Sequence, residues 1–168
     1  MRFIFLFSLF FGVLSSKSQD NFSEKLMLMG NQFEITVVAE NKDSASVLIG
    51  LAVEEIKRIE SLISSWDKLS QTSLINRNAG LFAVKVDLEL YNLISRSIAI
   101  SQLTDGAFDI TFASMEGVWV FDGTMTSFPL KSEIEKSLSK VGYENIVLDD
   151  ENHTVFLKNK GMKISFGG

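Results

Sequence analysis

The chain has 168 residues, of which 46% are hydrophobic and 22% charged, with one proline and no cysteine. These proportions suit a single domain with a sizeable core and exclude a disordered composition. The balance of 21 acidic against 16 basic residues argues against nucleic acid as a partner, and without cysteine no disulfide, thiolate metal site or cysteine nucleophile can form.

Arg2 precedes an apolar stretch about a dozen residues long (3–14), followed by Ser15, Ser16, Lys17, Ser18 and Gln19. A basic start, an apolar stretch too short to span a bilayer and a small polar end predict a secretory signal peptide over residues 1–19. The remainder, residues 20–168, is expected to be exported and, lacking cysteine, not to be a lipoprotein.

Residues 26–40 read as extended: Phe33, Ile35, Val37 and Ala39 alternate with Glu34, Thr36, Val38 and Glu40. Gly30, after Met27-Leu28-Met29, permits a bulge or a close backbone approach to a ligand. Asn41 to Ser44 supply cap residues for a long helix whose apolar stripe is Leu48, Ala52, Ile56, Ile59 and Ile63. That helix is expected to end near Ser64-Ser65-Trp66, before a polar loop over residues 67–73 and a short helical turn closed by Gly80. Trp66 at the exit could cover the core or pack on a planar ligand.

Residues 82–86 predict a short strand, and Asp87 starts a second helix carrying Leu90, Tyr91, Ile94, Ile98 and Ser101 on one stripe. The next stretch is Thr104-Asp105-Gly106-Ala107-Phe108-Asp109-Ile110-Thr111. Chemistry alone makes it a helix stop in which Asp105 satisfies backbone donors and Asp109 caps the next turn. An irregular apolar stretch (112–121) and a loop (122–127) follow. Pro129 then opens a third helix that is expected to bury Ile134, Leu138 and Val141. Residues 144–148 and 154–158 predict a hairpin, with His153 a surface turn residue given no role. The last extended run, 162–166, stops at Gly167-Gly168, where a strand would ordinarily continue, so the chain is expected to be a fragment. The expected fold is α+β: about three amphipathic helices on a mostly antiparallel sheet.

Four stretches together resemble the FAD:protein FMN transferase family (ApbE-type flavin transferases). They are residues 28–35, residues 62–66 leading into 74–80, residues 104–111 and residues 161–168. The likeness spans residues 24–168 and corresponds to the N-terminal half of such an enzyme. It implies an Mg²⁺-dependent enzyme that transfers FMN from FAD to a threonine hydroxyl of a target flavoprotein, with release of AMP. Such targets are often subunits of membrane redox complexes, at the periplasmic or outer face of the inner membrane. FAD pyrophosphatase activity, and an inactive truncated flavin-binding fragment, are the alternatives.

Carried over by position, the resemblance implies FAD contacts at Met29, Trp66, Ala107, Phe108, Asp109 and Ser165. Trp66 stands where tyrosine is usual, and Ser165 where aspartate is common. Gly168 falls at or beside a metal-ligating position. The resemblance assigns no catalytic residue. Asp109→Ala is expected to weaken FAD binding while leaving the fold intact.

Overall fold

A computed structural model describes residues 18–119 and 125–166. The expected signal peptide over its first 17 positions, residues 120–124 (the end of the expected apolar stretch and the start of the expected loop), Gly167 and Gly168 lie outside the described residues. No helix among the described residues is long and apolar enough to cross a membrane.

The chain opens with a hairpin, β1 (Asp20–Leu28) and β2 (Asn31–Ala39), paired antiparallel from Asp20 opposite Ala39 to Leu28 opposite Asn31. The predicted alternation in β2 holds, since Phe33, Ile35, Val37 and Ala39 are the covered side chains. The sequence reading missed β1 as the partner strand. The connection is the dipeptide Met29-Gly30, with φ of 50° and 72°. Two-residue hairpin turns need positive φ at both positions, which normally selects Asn-Gly. A methionine in the first position hides the turn.

Helix α1 (Lys42–Ile63) packs on this hairpin. Asn41 caps it, its side chain accepting from Ser44 N at 2.9 Å. The buried positions are Ala45, Ile49 and Leu62, flanked by half-buried Ala52, Ile56, Ile59 and Ile63, whereas the predicted stripe member Leu48 faces solvent. Helix α2 (Gln71–Arg77) begins inside the stretch expected to be a loop. The Ser70 hydroxyl accepts from Ser73 N at 3.0 Å, an N-cap that polar composition concealed.

Strand β3 (Val84–Lys85), helix α3 (Leu88–Leu103), helix α4 (Lys131–Leu138) and strands β4 (Ile146–Asp149) and β5 (Thr154–Leu157) complete the fold, with 3-10 helices at Ile110–Met115 and Tyr143–Asn145. Among the described residues there are two sheets in place of one. The second has the order β3-β5-β4, antiparallel throughout. The α+β class is as expected. Helix α4 departs from expectation: none of its residues is buried, Leu138 is exposed, and Val141 lies beyond its end. The main core joins α2, α3 and the second sheet through Ile75, Leu90, Ile94, Val155 and Leu157, together with Met162 and Ile164 from the last segment.

Residues 162–166, expected to be extended, belong to no helix or strand ladder. Side chains take the place of a neighbouring strand. The Asn76 amide accepts from Ile164 N at 2.8 Å and donates to Ile164 O at 3.0 Å. On the Lys163 side, the Ser114 hydroxyl accepts from Lys163 N at 2.9 Å and donates to Lys163 O at 3.2 Å. Ser165 N donates to Ile110 O at 3.1 Å. The strong backbone groups of a buried segment must be paired somehow, and here two side chains do it.

Tyr91 is buried on α3, its hydroxyl donating to the Asp150 carboxylate and its ring tilted against His153 at 5.5 Å. Burial, and then the Asp150 carboxylate, push its phenol up to about 12 from 10.0. The folded value lies above the unfolded one. Tyr91 therefore contributes fully below pH 10.0, and the contribution is lost as pH rises towards 12. Alkaline unfolding followed by circular dichroism should show stability falling in that window, and Tyr91→Phe should remove that phase.

Candidate functional site

Three cavities run along one groove. The first, about 450 Å³, lies between the hairpin turn and the end of α1, and is lined by Met29, Gly30, Asn31, Glu60, Ile63, Ser64, Ser65 and Trp66. The second, about 420 Å³, is lined by Leu93, Arg96, Ser97 and Ile100 of α3, by Phe108, Asp109 and Ile110, and by Ser165 and Phe166. A smaller one, about 140 Å³, shares Ser65 and Trp66 with the first and Ser165 with the second. The Ser65 and Ser165 hydroxyls meet at 3.3 Å where the cavities join. Five of the six expected FAD contacts thus line one connected groove. Ala107 is exposed and lines none of the three cavities.

The first cavity is built by serines. Helix α1 breaks at Ser64, whose hydroxyl accepts from Trp66 N at 3.2 Å and Asp67 N at 3.0 Å. The Ser73 hydroxyl donates to Ser65 O at 3.1 Å, and that of Ser70 donates to Ser64 O. This small set of bonds fixes the loop while Trp66 stays 71% exposed at its edge. An exposed indole on a pinned backbone covers little core.

Across the cavity, Met29 holds its positive φ at a cost that asparagine would not incur. Met29→Asn should raise stability by about 1 kcal/mol, or a few degrees of Tm, while removing an apolar wall. A thermal melt and a ligand titration on the same variant check both halves. A variant that is more stable but binds as well as the parent would deny Met29 a binding role.

The second cavity rests on the end of α3. Asp105 (φ 51°) and Gly106 (φ 77°) leave the helix left-handed, with Gly106 N donating to Ser101 O at 2.8 Å and Asp105 N to Gln102 O at 3.3 Å. These are the two bonds of a Schellman ending, with aspartate where glycine is usual. The Thr104 hydroxyl then accepts from Phe108 N at 3.1 Å. That turn presents Phe108, 43% exposed, to the groove.

Asp109 has the capping role that its sequence context predicts. One carboxylate oxygen accepts from Thr111 N (2.8 Å) and Thr111 Oγ1 (2.6 Å), the other from Tyr143 N (3.0 Å). Three of about four lone-pair sites are used, leaving one for a ligand donor. Capping and ligand binding are therefore compatible, but the expectation that Asp109→Ala leaves the fold intact is not. Tyr143 follows from this neighbourhood: burial first, then Glu144, Asp105 and Asp109, raise its phenol above the ordinary value.

Among the described residues no group of three or more histidine or acidic side chains could hold a metal ion. Reading the sequence for motifs did not single out Ser65, Arg96 or Asn76 as site residues. Helical spacing could have found Arg96, since Leu93, Arg96, Ser97 and Ile100 lie on one face of α3.

The ApbE family matches residues 29–168, and the chain belongs to that family. A FAD:protein FMN transferase of Klebsiella pneumoniae (strain 342) is 27% identical over 146 residues, covering 87% of this chain and 45% of the relative. One from Buchnera aphidicola subsp. Schizaphis graminum is 27% identical over 168 residues, covering 96% and 48%. The crystal structure of the ApbE protein from Thermotoga maritima superposes with a TM-score of 0.74 at 31% identity, covering 87% of this chain and 47% of that one. The flavin transferase ApbE from Vibrio cholerae, 17% identical, shares the fold (TM-score 0.72). The chain spans about half the length of the relatives it matches.

Proposed function

We propose that this chain carries the flavin-dinucleotide site of a FAD:protein FMN transferase. The observation that carries the reading is the connected groove, in which Met29 and Trp66 at one end and Phe108 and Asp109 at the other share a bridge at Ser65 and Ser165. An extended ligand with a ring at each end is the shape that such a groove takes. Trp66 packs on one ring, Phe108 walls the other, and the free lone pair of Asp109 takes a ligand N–H or hydroxyl. Ser165 supplies a hydroxyl at the waist.

In the reaction, an acceptor threonine oxygen bonds to the FMN phosphorus as the bond to the AMP oxygen breaks. The threonine proton is lost and AMP departs. This chain's contribution is positioning, which in phosphoryl transfer is most of what a protein supplies. Magnesium, implied by the resemblance, would neutralise phosphate charge. The acceptor is a flavoprotein bearing the threonine, read as a subunit of a membrane redox complex. With residues 1–19 read as an export signal, the reaction is proposed to take place outside the cytoplasm. Incubating the intact protein with FAD, Mg²⁺ and such an acceptor should yield covalently fluorescent acceptor and AMP. Free FMN with unlabelled acceptor would establish a pyrophosphatase instead.

A further inference from the structure

The second cavity contains one side chain whose hydrogen-bonding capacity is wholly unspent among the described residues. Of its polar lining residues, Ser97 donates to Leu93 O in its own helix at 2.8 Å, Asp109 only accepts, and the Ser165 hydroxyl is engaged with Ser65. Arg96 has no hydrogen-bond or ion-pair partner among the described residues. The other cation lining the three cavities, Lys163, is tied to Glu116 at 2.7 Å. Among the described residues, Arg96 is therefore the unpaired positive charge lining these cavities, set beside the apolar walls Leu93, Ile100 and Phe108.

We propose that Arg96 binds the diphosphate of the dinucleotide and makes the groove select a phosphate-bearing flavin over an uncharged one. This assignment rests on the FAD reading above. The chain is acidic, with a net charge of −5, so a dianionic linker entering the groove is repelled unless a cation meets it. A guanidinium suits this role: its planar fork gives two parallel bonds to a phosphate, stays charged at every working pH, and tolerates an apolar wall better than an ammonium. Its neighbour in the cavity, Asp109, offers an acceptor rather than a donor. The cavity thus presents one cation for phosphate and one acceptor for a ligand hydroxyl or N–H.

The test uses the intact protein and its Arg96→Gln and Arg96→Lys variants. Affinities for FAD and riboflavin are read by flavin fluorescence, and for inorganic pyrophosphate by calorimetry. Arg96→Gln should weaken FAD and pyrophosphate by about tenfold or more, the scale of a lost charge-assisted bond. Riboflavin should be unaffected and Arg96→Lys should retain part of the affinity. Arg96 is exposed, so its melting temperature should match the parent's. Unchanged FAD affinity in Arg96→Gln would overturn the assignment, as would a riboflavin loss equal to the FAD loss. If the parent binds pyrophosphate through Arg96 but not FAD, the FAD reading fails and the phosphate site stands. If it binds neither, both fall.

Discussion

Asn76→Ala should lower the melting temperature by roughly 10 °C and abolish ligand binding at the groove. The side chain stands in for a missing strand, making both hydrogen bonds with Ile164 (2.8 and 3.0 Å). Ile164 is fully buried, so truncation leaves its N–H and C=O without their partner. Each such loss costs about 1–3 kcal/mol, and a chain of this size loses about 2–4 °C per kcal/mol. The effect reaches the site because Ser165 and Phe166 are the next two residues. Asn76→Asp separates hydrogen bonding from volume. Its carboxylate still accepts from Ile164 N but faces Ile164 O with a second acceptor. That raises its folded pKa above the unfolded value, so its stability should improve on acidification, as protonation restores a donor, and fall again as pH rises. Melts across pH on both variants check this. A variant that melts like the parent would deny the strand-substitute role.

Asp109→Ala should cost about 2–4 kcal/mol as well as weaken binding. Its carboxylate ties the 3-10 helix at Ile110–Met115 to the one at Tyr143–Asn145, accepting from Thr111 and Tyr143. Thr111, itself fully buried, passes the link on by accepting from Gly142 N at 2.7 Å. Removing the carboxylate leaves two main-chain N–H groups unpaired. Asp109→Asn keeps an acceptor for Thr111 but turns an amide towards Tyr143 N, so its loss should be smaller. A double-mutant cycle with Thr111→Val should show coupling above about 1 kcal/mol. Additive losses would mean that the two side chains act independently.

How much of this was legible in the sequence depended on whether a signal was local. The Asn41 and Asp87 caps, the alternation in β2, the stripe of α3 and the terminal hairpin each lie within a few residues, and each predicted its element. The capping of Asp109 was legible for the same reason. What escaped depends on distant partners or on unusual turn residues. Strand β1 has its own weak alternation, Phe22, Leu26 and Leu28, but the turn that pairs it to β2 uses methionine at a left-handed position. Asn76 meets Ile164 across 88 positions and Ser65 meets Ser165 across 100, separations that no periodicity can register. The predicted stripe of α1 went astray at Leu48, because only the packed hairpin decides which side of an apolar helix turns inward. The resemblance to a family named six residues, five of which line the groove, whereas the chemistry of Arg96 becomes visible only once the neighbouring polar groups are accounted for.

The central claim is that one FAD lies along all three cavities. The most direct test is a flavin fluorescence titration of the intact protein and of two variants at opposite ends, Trp66→Ala and Phe108→Ala. Both side chains are exposed, so both variants should keep the parent's melting temperature. The predicted result is stoichiometric binding, with affinity for FAD lowered about tenfold by either substitution, the scale of a lost stacking contact. Binding that is indifferent to both substitutions, or sensitive to only one end, would contradict a ligand that spans the groove.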